Sequence, residues 1–163
     1  MVIKESGIII SGCPIVSSAY DQSKEAKTNL VIRSGLISGF MFFLENMFDR
    51  QPVEYIGSGK YIIAFKKDRI QSIENRMEII VSYAILDKEK KHDKYISKRI
   101  TPLLSKTLKR FIKENGGKNF SEVSQYAYFI EYIDKIFKNR SKTDDENVRF
   151  FLKSLSYHDW KNF

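Results

Sequence analysis

The chain offers few side chains able to make or break bonds: one cysteine and two histidines in 163 residues. Cys13 stands in Ser11-Gly12-Cys13-Pro14, a turn between two apolar runs. No histidine lies near it in sequence to draw off its proton, so a small structural residue is expected in place of a thiolate nucleophile. His92 sits in Lys90-Lys91-His92-Asp93 and His158 beside Asp159; neither comes with a nucleophile elbow, and both are read as solvent-exposed. Two histidines and one cysteine supply no ligand-spaced pairs for zinc. Asp144-Asp145-Glu146 fits the acidic start of a helix and lacks the spacing and glycine of a calcium loop. Gly57-Ser58-Gly59-Lys60 invites a phosphate-loop reading, but Glu54 stands where the first glycine is needed and Tyr61 where Ser or Thr is needed. The segment also lies between two strand-like runs, so a hairpin turn is expected there. The chain therefore reads as a binding module with no catalytic residues, no metal and no cofactor.

Charge points to partners. The formal net charge is +8, and Leu86 to Lys118 carries +7 of it, with eleven Lys and Arg against four Asp and Glu. Within this stretch Lys98, Arg99, Lys106, Lys109, Arg110 and Lys113 are the candidate anionic-surface residues. A patch of that sign favours a phosphoinositide-bearing membrane, RNA or an acidic protein face, and a plain solvated helix face is the competing reading. Nucleic acid is disfavoured, because no Lys/Arg-Gly-aromatic-Gly string occurs and the basic residues interleave with core positions of a helix.

These residues need elements to hold them. Gly7 to Ser11 and Ile15 to Tyr20 read as a hairpin around Gly12-Cys13-Pro14, and a polar stretch, Asp21 to Lys27, follows. Leu36, Ile37, Phe40, Met41, Phe43, Leu44, Met47 and Phe48 then recur at helical spacing, with Gly35 and Gly39 expected to let that helix lie close on a sheet. The apolar stretch Ser34 to Leu44 falls short of the roughly 20 residues of a membrane crossing. Val53 to Ile56 and Lys60 to Phe65 form a second hairpin, Lys66 to Arg76 a charged connector, and Glu78 to Leu86 a fifth strand buried on both faces. Ile96, Ile100, Leu103, Leu104, Leu108, Phe111 and Ile112 make a helical stripe ended by Asn115-Gly116-Gly117. Pro102 either kinks that helix or restarts it behind a Thr101 cap. Asn119 and Glu122 have capping-box spacing ahead of the stripe Val123, Tyr126, Ile130, Ile133 and Phe137, and Thr143 and Glu146 repeat the device. A short helix and an aromatic tail close the chain. With 42 % apolar residues and no export signal, one intracellular globular domain is expected.

The order strand, strand, helix, three strands, two helices resembles the longin domain over roughly residues 2 to 138. It carries local strings similar to those of stand-alone archaeal longins: Gly7-Ile8-Ile9-Ile10-Ser11-Gly12 with Pro14-Ile15-Val16-Ser17, Leu36-Ile37-Ser38-Gly39-Phe40, and Tyr55-Ile56-Gly57-Ser58-Gly59-Lys60-Tyr61. The resemblance implies an α+β (α/β) fold: a five-stranded antiparallel sheet of order 2-1-5-4-3, one helix on one face and two or more on the other, as in longin and profilin folds. It divides the chain into a longin-like domain, 1–138, and a helical extension with an aromatic tail, 139–163.

It also implies a non-catalytic adaptor or small-GTPase regulatory subunit of a membrane-trafficking-type system. The expected partner is a small GTPase or another longin or roadblock subunit, with homodimerisation a further form. No SNARE heptad segment follows the domain, which departs from the SNARE relatives. Consecutive aromatics cannot all face one way, so Phe40, Phe42, Phe43 and Met47 are the candidate partner-binding residues. The expected location is cytoplasmic, with peripheral membrane contact. The alternative is a basic accessory protein on an anionic membrane or nucleic acid, and a third reading is a small-molecule sensor with a pocket lined by the first helix.

Overall fold

The computed structural model describes residues 1–20, 35–39, 42 and 54–138. Its five strands are β1 (Ile3–Ile10), β2 (Cys13–Ala19), β3 (Tyr55–Ser58), β4 (Tyr61–Gln71) and β5 (Met77–Asp87). They form one antiparallel sheet of order 2-1-5-4-3, as expected. Residues 35–39 and 42 are helical and are called α1. Then come α2 (His92–Tyr95), a π-helical turn (Ile96–Ile100), α3 (Thr101–Asn115), a 3₁₀ turn (Val123–Tyr126) and α4 (Phe129–Phe137). The class is α+β.

Both short hairpins follow from turn chemistry. Ser11 and Gly12 have φ of 47° and 82°, the left-handed pair that a two-residue turn needs to match the twist of its strands. The turn is thus Ser11-Gly12, one residue earlier than expected, and Cys13 and Pro14 already belong to β2. Pro14 is tolerated because β2 is an edge strand. Gly59, at φ 56°, turns β3 into β4, which places Gly57-Ser58-Gly59-Lys60 in a hairpin.

The expected charged connector from Lys66 to Arg76 is mostly strand. β4 pairs with β5 without interruption from Tyr61↔Asp87 to Gln71↔Met77. Lys67, Asp68 and Arg69 are exposed while Ile70 is buried. Charge in a sequence marks a solvated surface here, and β5 satisfies the backbone of β4 whatever its side chains carry.

Strand alternation sorts the core into two clusters. Ile8, Ile10, Ile62, Ile80, Ala84 and Leu86 pack with Leu104, Leu108 and Phe111 of α3 and with Phe129, Ile133 and Phe137 of α4. Ile9, Phe65, Val81 and Tyr83 pack with Ile37 of α1. β5 is central and largely buried on both faces, with the correction that Ile79 is 46 % exposed and Met77 is exposed. Each fully buried Ile, Leu or Phe stabilises the fold by roughly 1.5–3 kcal/mol relative to solvent exposure, so these clusters dominate its energetics.

Pro102 neither kinks the chain out of helix nor sits behind a Thr101 cap. It lies in the first turn of α3, and Ile96–Ile100 precedes it as a π-helical turn, whose wider spacing suits a position with no N–H to give to residue i−4. The Thr101 hydroxyl caps nothing; it is buried without a partner among the described residues. The capping box at Asn119 is also absent: Asn119 Oδ1 accepts from the Ser121 N–H at 2.9 Å, and Glu122 makes no side-chain cap. The regular helix begins only at Phe129, and Val123 is left exposed.

Candidate functional site

Two surfaces stand out. The first is a cleft of about 290 Å³ lined by Ser11, Gly12, Ser38, Gly39, Phe42, Ile79 and Val81. The β1–β2 turn makes one wall. It is tied to β5 by the Ser11 N–H, which donates to the Ile79 carbonyl at 2.9 Å, and by the Ser11 hydroxyl, which donates to the Glu78 carboxylate. α1 makes the other wall, anchored by the buried Ile37. Ile79 and Val81 form the floor. A Cβ on Gly12 would lie 3.8 Å from the Ser38 Cβ, so turn and helix approach each other closely at this end.

Gly35 and Gly39 do not pack against the sheet as the spacing suggests. A Cβ at either would meet nothing within 4 Å. Ile37, two residues from each and so on roughly the opposite side of the helix, is the residue that docks. Gly39 instead keeps the cleft open. Phe42 lines it and is 67 % exposed; Leu36, a member of the expected helical stripe, is exposed to the same extent. The Ser38 hydroxyl is buried and has no hydrogen-bond partner among the described residues. Of the four candidate partner-binding residues, Phe42 lines the cleft; Phe40, Phe43 and Met47 lie outside the described residues, as do His158, the acidic run 144–146 and the extension 139–163.

The second surface is the outer face of α3 and of the π-helical turn before it. Lys98, Arg99, Lys106, Lys109, Arg110 and Lys113 are all exposed. At 100° per residue they fall within about 120° of the helix circumference, opposite the buried Leu104, Thr107, Leu108, Phe111 and Asn115. Arg110 pairs with Glu114 and lies 4.9 Å from the centre of the Tyr132 ring. Burial raises the Tyr132 phenol above its ordinary value, and Arg110 opposes that rise. None of the other five cations pairs with a described carboxylate. Lys106–Lys109, Lys106–Arg110, Lys109–Lys113 and Arg110–Lys113 are like-charge neighbours at i,i+3 or i,i+4, each destabilising the helix by roughly 0.2–0.5 kcal/mol.

Residues able to do chemistry are scattered. Cys13 is exposed and free. His92 is half-buried, a correction to its expected exposure: its ring packs edge-on against Tyr55 at 5.5 Å, and Tyr55 donates to Asp93, which lifts the Tyr55 phenol above its ordinary value. Apolar covering by a β3 aromatic is what a basic local string conceals. Among the described residues no group of three or more His, Cys, Asp and Glu is placed to hold a metal, and no helix is long and apolar enough to cross a membrane. The sequence reading missed Ser11, Gly12, Ile79 and Val81 as cleft residues. The available signal was the pair of glycine-bearing segments 11–12 and 35–39, whose absent side chains leave room beside a β5 face that is apolar at every second residue. No protein-family model, curated protein or solved structure matches the chain.

Proposed function

We propose that the protein is a non-catalytic protein–protein interaction module with longin-like architecture, one helix on one face of its sheet and α3 and α4 on the other. It acts as an adaptor or regulatory subunit that contacts a small GTPase or a longin or roadblock subunit. The observation that carries this reading is the open cleft between the β1–β2 turn and α1, with Phe42 exposed in its lining on a helix anchored through Ile37. A large exposed aromatic beside an apolar floor makes the kind of anchor that dominates interface energetics. The sheet order 2-1-5-4-3 supports the architecture.

The test is calorimetric titration of the protein and its Phe42→Ala and Leu36→Ser variants against a panel of small GTPases and longin and roadblock subunits. Binding by the wild type that weakens on the order of tenfold or more in Phe42→Ala, at unchanged thermal stability, supports the reading. Binding unaltered by both substitutions counts against the cleft as the contact, and an absence of binding across the panel counts against the function.

A further inference from the structure

The six exposed cations lie along one face of the π-helical turn and α3 in two groups, Lys98–Arg99 and Lys106–Lys113, with exposed Pro102 between them. From Lys98 to Lys113 the sequence contains no Asp or Glu, and the stripe runs 15 residues, about 22 Å at the rise of a helix. An ordinary solvated helix alternates signs so that i,i+4 neighbours attract; this one stacks like charges. The face is held rigid from behind by Leu104, Leu108 and Phe111 in the core.

An apolar side chain stands at the end of the stripe. Ile73, at the tip of the β4–β5 hairpin, is 63 % exposed. The tip is fastened to the segment leaving α3: the Ile73 N–H donates to the Lys118 carbonyl at 3.0 Å, and the Gly117 N–H to the Gln71 carbonyl at 2.7 Å. Exposed Arg76 and Lys118 flank it, Arg76 paired with neighbouring Glu74 at 3.2 Å and Lys118 Nζ donating to Asn115 Oδ1 at 3.0 Å.

We propose that this face is a peripheral docking surface for an anionic lipid bilayer, with the α3 stripe lying on the headgroups and Ile73 dipping among them. Charge complementarity selects the occupant. Four of the six cations are lysines, compact charges on flexible stems that suit a diffuse, laterally mobile anionic surface. Of the two arginines, the side chains that fork onto individual phosphates, Arg110 is already engaged by Glu114 and Tyr132. An exposed apolar residue beyond the end of a cationic stripe fits the boundary between headgroups and acyl chains. Ile79 and Val81 of the cleft alternate along β5 with Ile80, which packs with α3 and α4. Docking through α3 therefore leaves the cleft facing away from the bilayer. This inference stands whether or not the cleft binds a protein.

Vesicle sedimentation of the full chain tests it, with phosphatidylcholine vesicles containing phosphatidylserine compared with phosphatidylcholine alone. Binding is expected only to the anionic vesicles, weakening as salt rises. Each lysine at such a surface contributes about fivefold, so Lys106→Gln/Lys109→Gln/Lys113→Gln loses on the order of a hundredfold. Exposed Lys60, Lys90 and Lys91 changed to Gln remove the same charge elsewhere and leave binding within a few fold. Ile73→Ser weakens what binding persists at high salt. The proposal is overturned by equal binding to neutral vesicles, by equal losses in the two lysine triples, or by an RNA affinity exceeding that for anionic vesicles at the same salt. Wild-type salt dependence and the Ile73→Ser result keep the test decisive even where the stripe variant folds poorly.

Discussion

Replacing Gly7 by alanine should destabilise the protein by about 2 kcal/mol. Gly7 lies in β1 between Ser17 of β2 and Tyr83 of β5. The Tyr83 ring occupies the space above it, and its hydroxyl donates to buried Glu5 Oε1 at 2.6 Å. A Cβ on Gly7 would stand 2.6 Å from the Val16 carbonyl oxygen, 2.9 Å from Tyr83 Cε1 and 3.0 Å from Tyr83 Oη. The first is backbone of a paired strand, and the second belongs to a side chain with almost no exposure, so neither moves cheaply. Overpacking of this kind costs roughly 1–3 kcal/mol. Displacing the Tyr83 hydroxyl from Glu5 adds about 1 kcal/mol, and the reduced freedom of the unfolded chain returns about 0.4–1 kcal/mol. For a chain of this size the net corresponds to a fall in Tm of about 4–8 °C. Urea and thermal unfolding of Gly7→Ala and Gly57→Ala measure it. Gly57 is the control: its Cβ would first meet the end of the Lys88 side chain, at 3.7 Å. A Gly7→Ala protein as stable as the wild type, or a Gly57→Ala protein that loses as much, would refute the packing described around Tyr83.

Tyr83→Phe, which keeps the ring and deletes the hydroxyl that meets Glu5, should lower stability by about 1–2 kcal/mol in urea unfolding. Phe111→Ala empties a position enclosed by Tyr126 and Phe129, rings 5.5 and 5.0 Å away, and should cost about 3–5 kcal/mol by the same assay. The Tyr20 phenol is pushed up to about 12, chiefly by burial and less by Asp134, with hydrogen bonds from Ser6 and Ser18 opposing the rise. The folded state thus holds the proton that the unfolded chain releases near its ordinary value of 10. Tyr20 therefore contributes stability that is full below pH 10 and lost as pH climbs through 12; urea midpoints should fall across that window, and Tyr20→Phe should flatten the slope.

The two short hairpins and the class were legible because turn residues and apolar runs are local signals, Gly12 and Gly59 among them, with the nearly continuous apolar run of β5; the sheet order 2-1-5-4-3 came from the longin resemblance alone. Strand extent was less legible. Lys67, Asp68 and Arg69 look like a loop because a half-exposed strand has no compositional signature once its solvent side is charged. The cleft was hidden for a different reason. Its lining comes from the β1–β2 turn, α1 and β5, which only the tertiary fold brings together, and the Gly35–Gly39 spacing suggests a close packing that neither glycine makes. The α3 stripe was readable in full, since a 3.6-residue period and an acid-free run of cations place every charge on one face.

The cleft as a protein-binding face is tested most directly by mapping backbone amide shifts of the isotopically labelled protein during titration with candidate GTPases and longin and roadblock subunits. Saturable shifts are predicted at Gly12, Ser38, Gly39, Phe42 and Ile79, with Lys106, Lys109 and Lys113 unmoved. Titrations that leave all five amides in place at high partner concentration, or that move only the α3 residues, would contradict it.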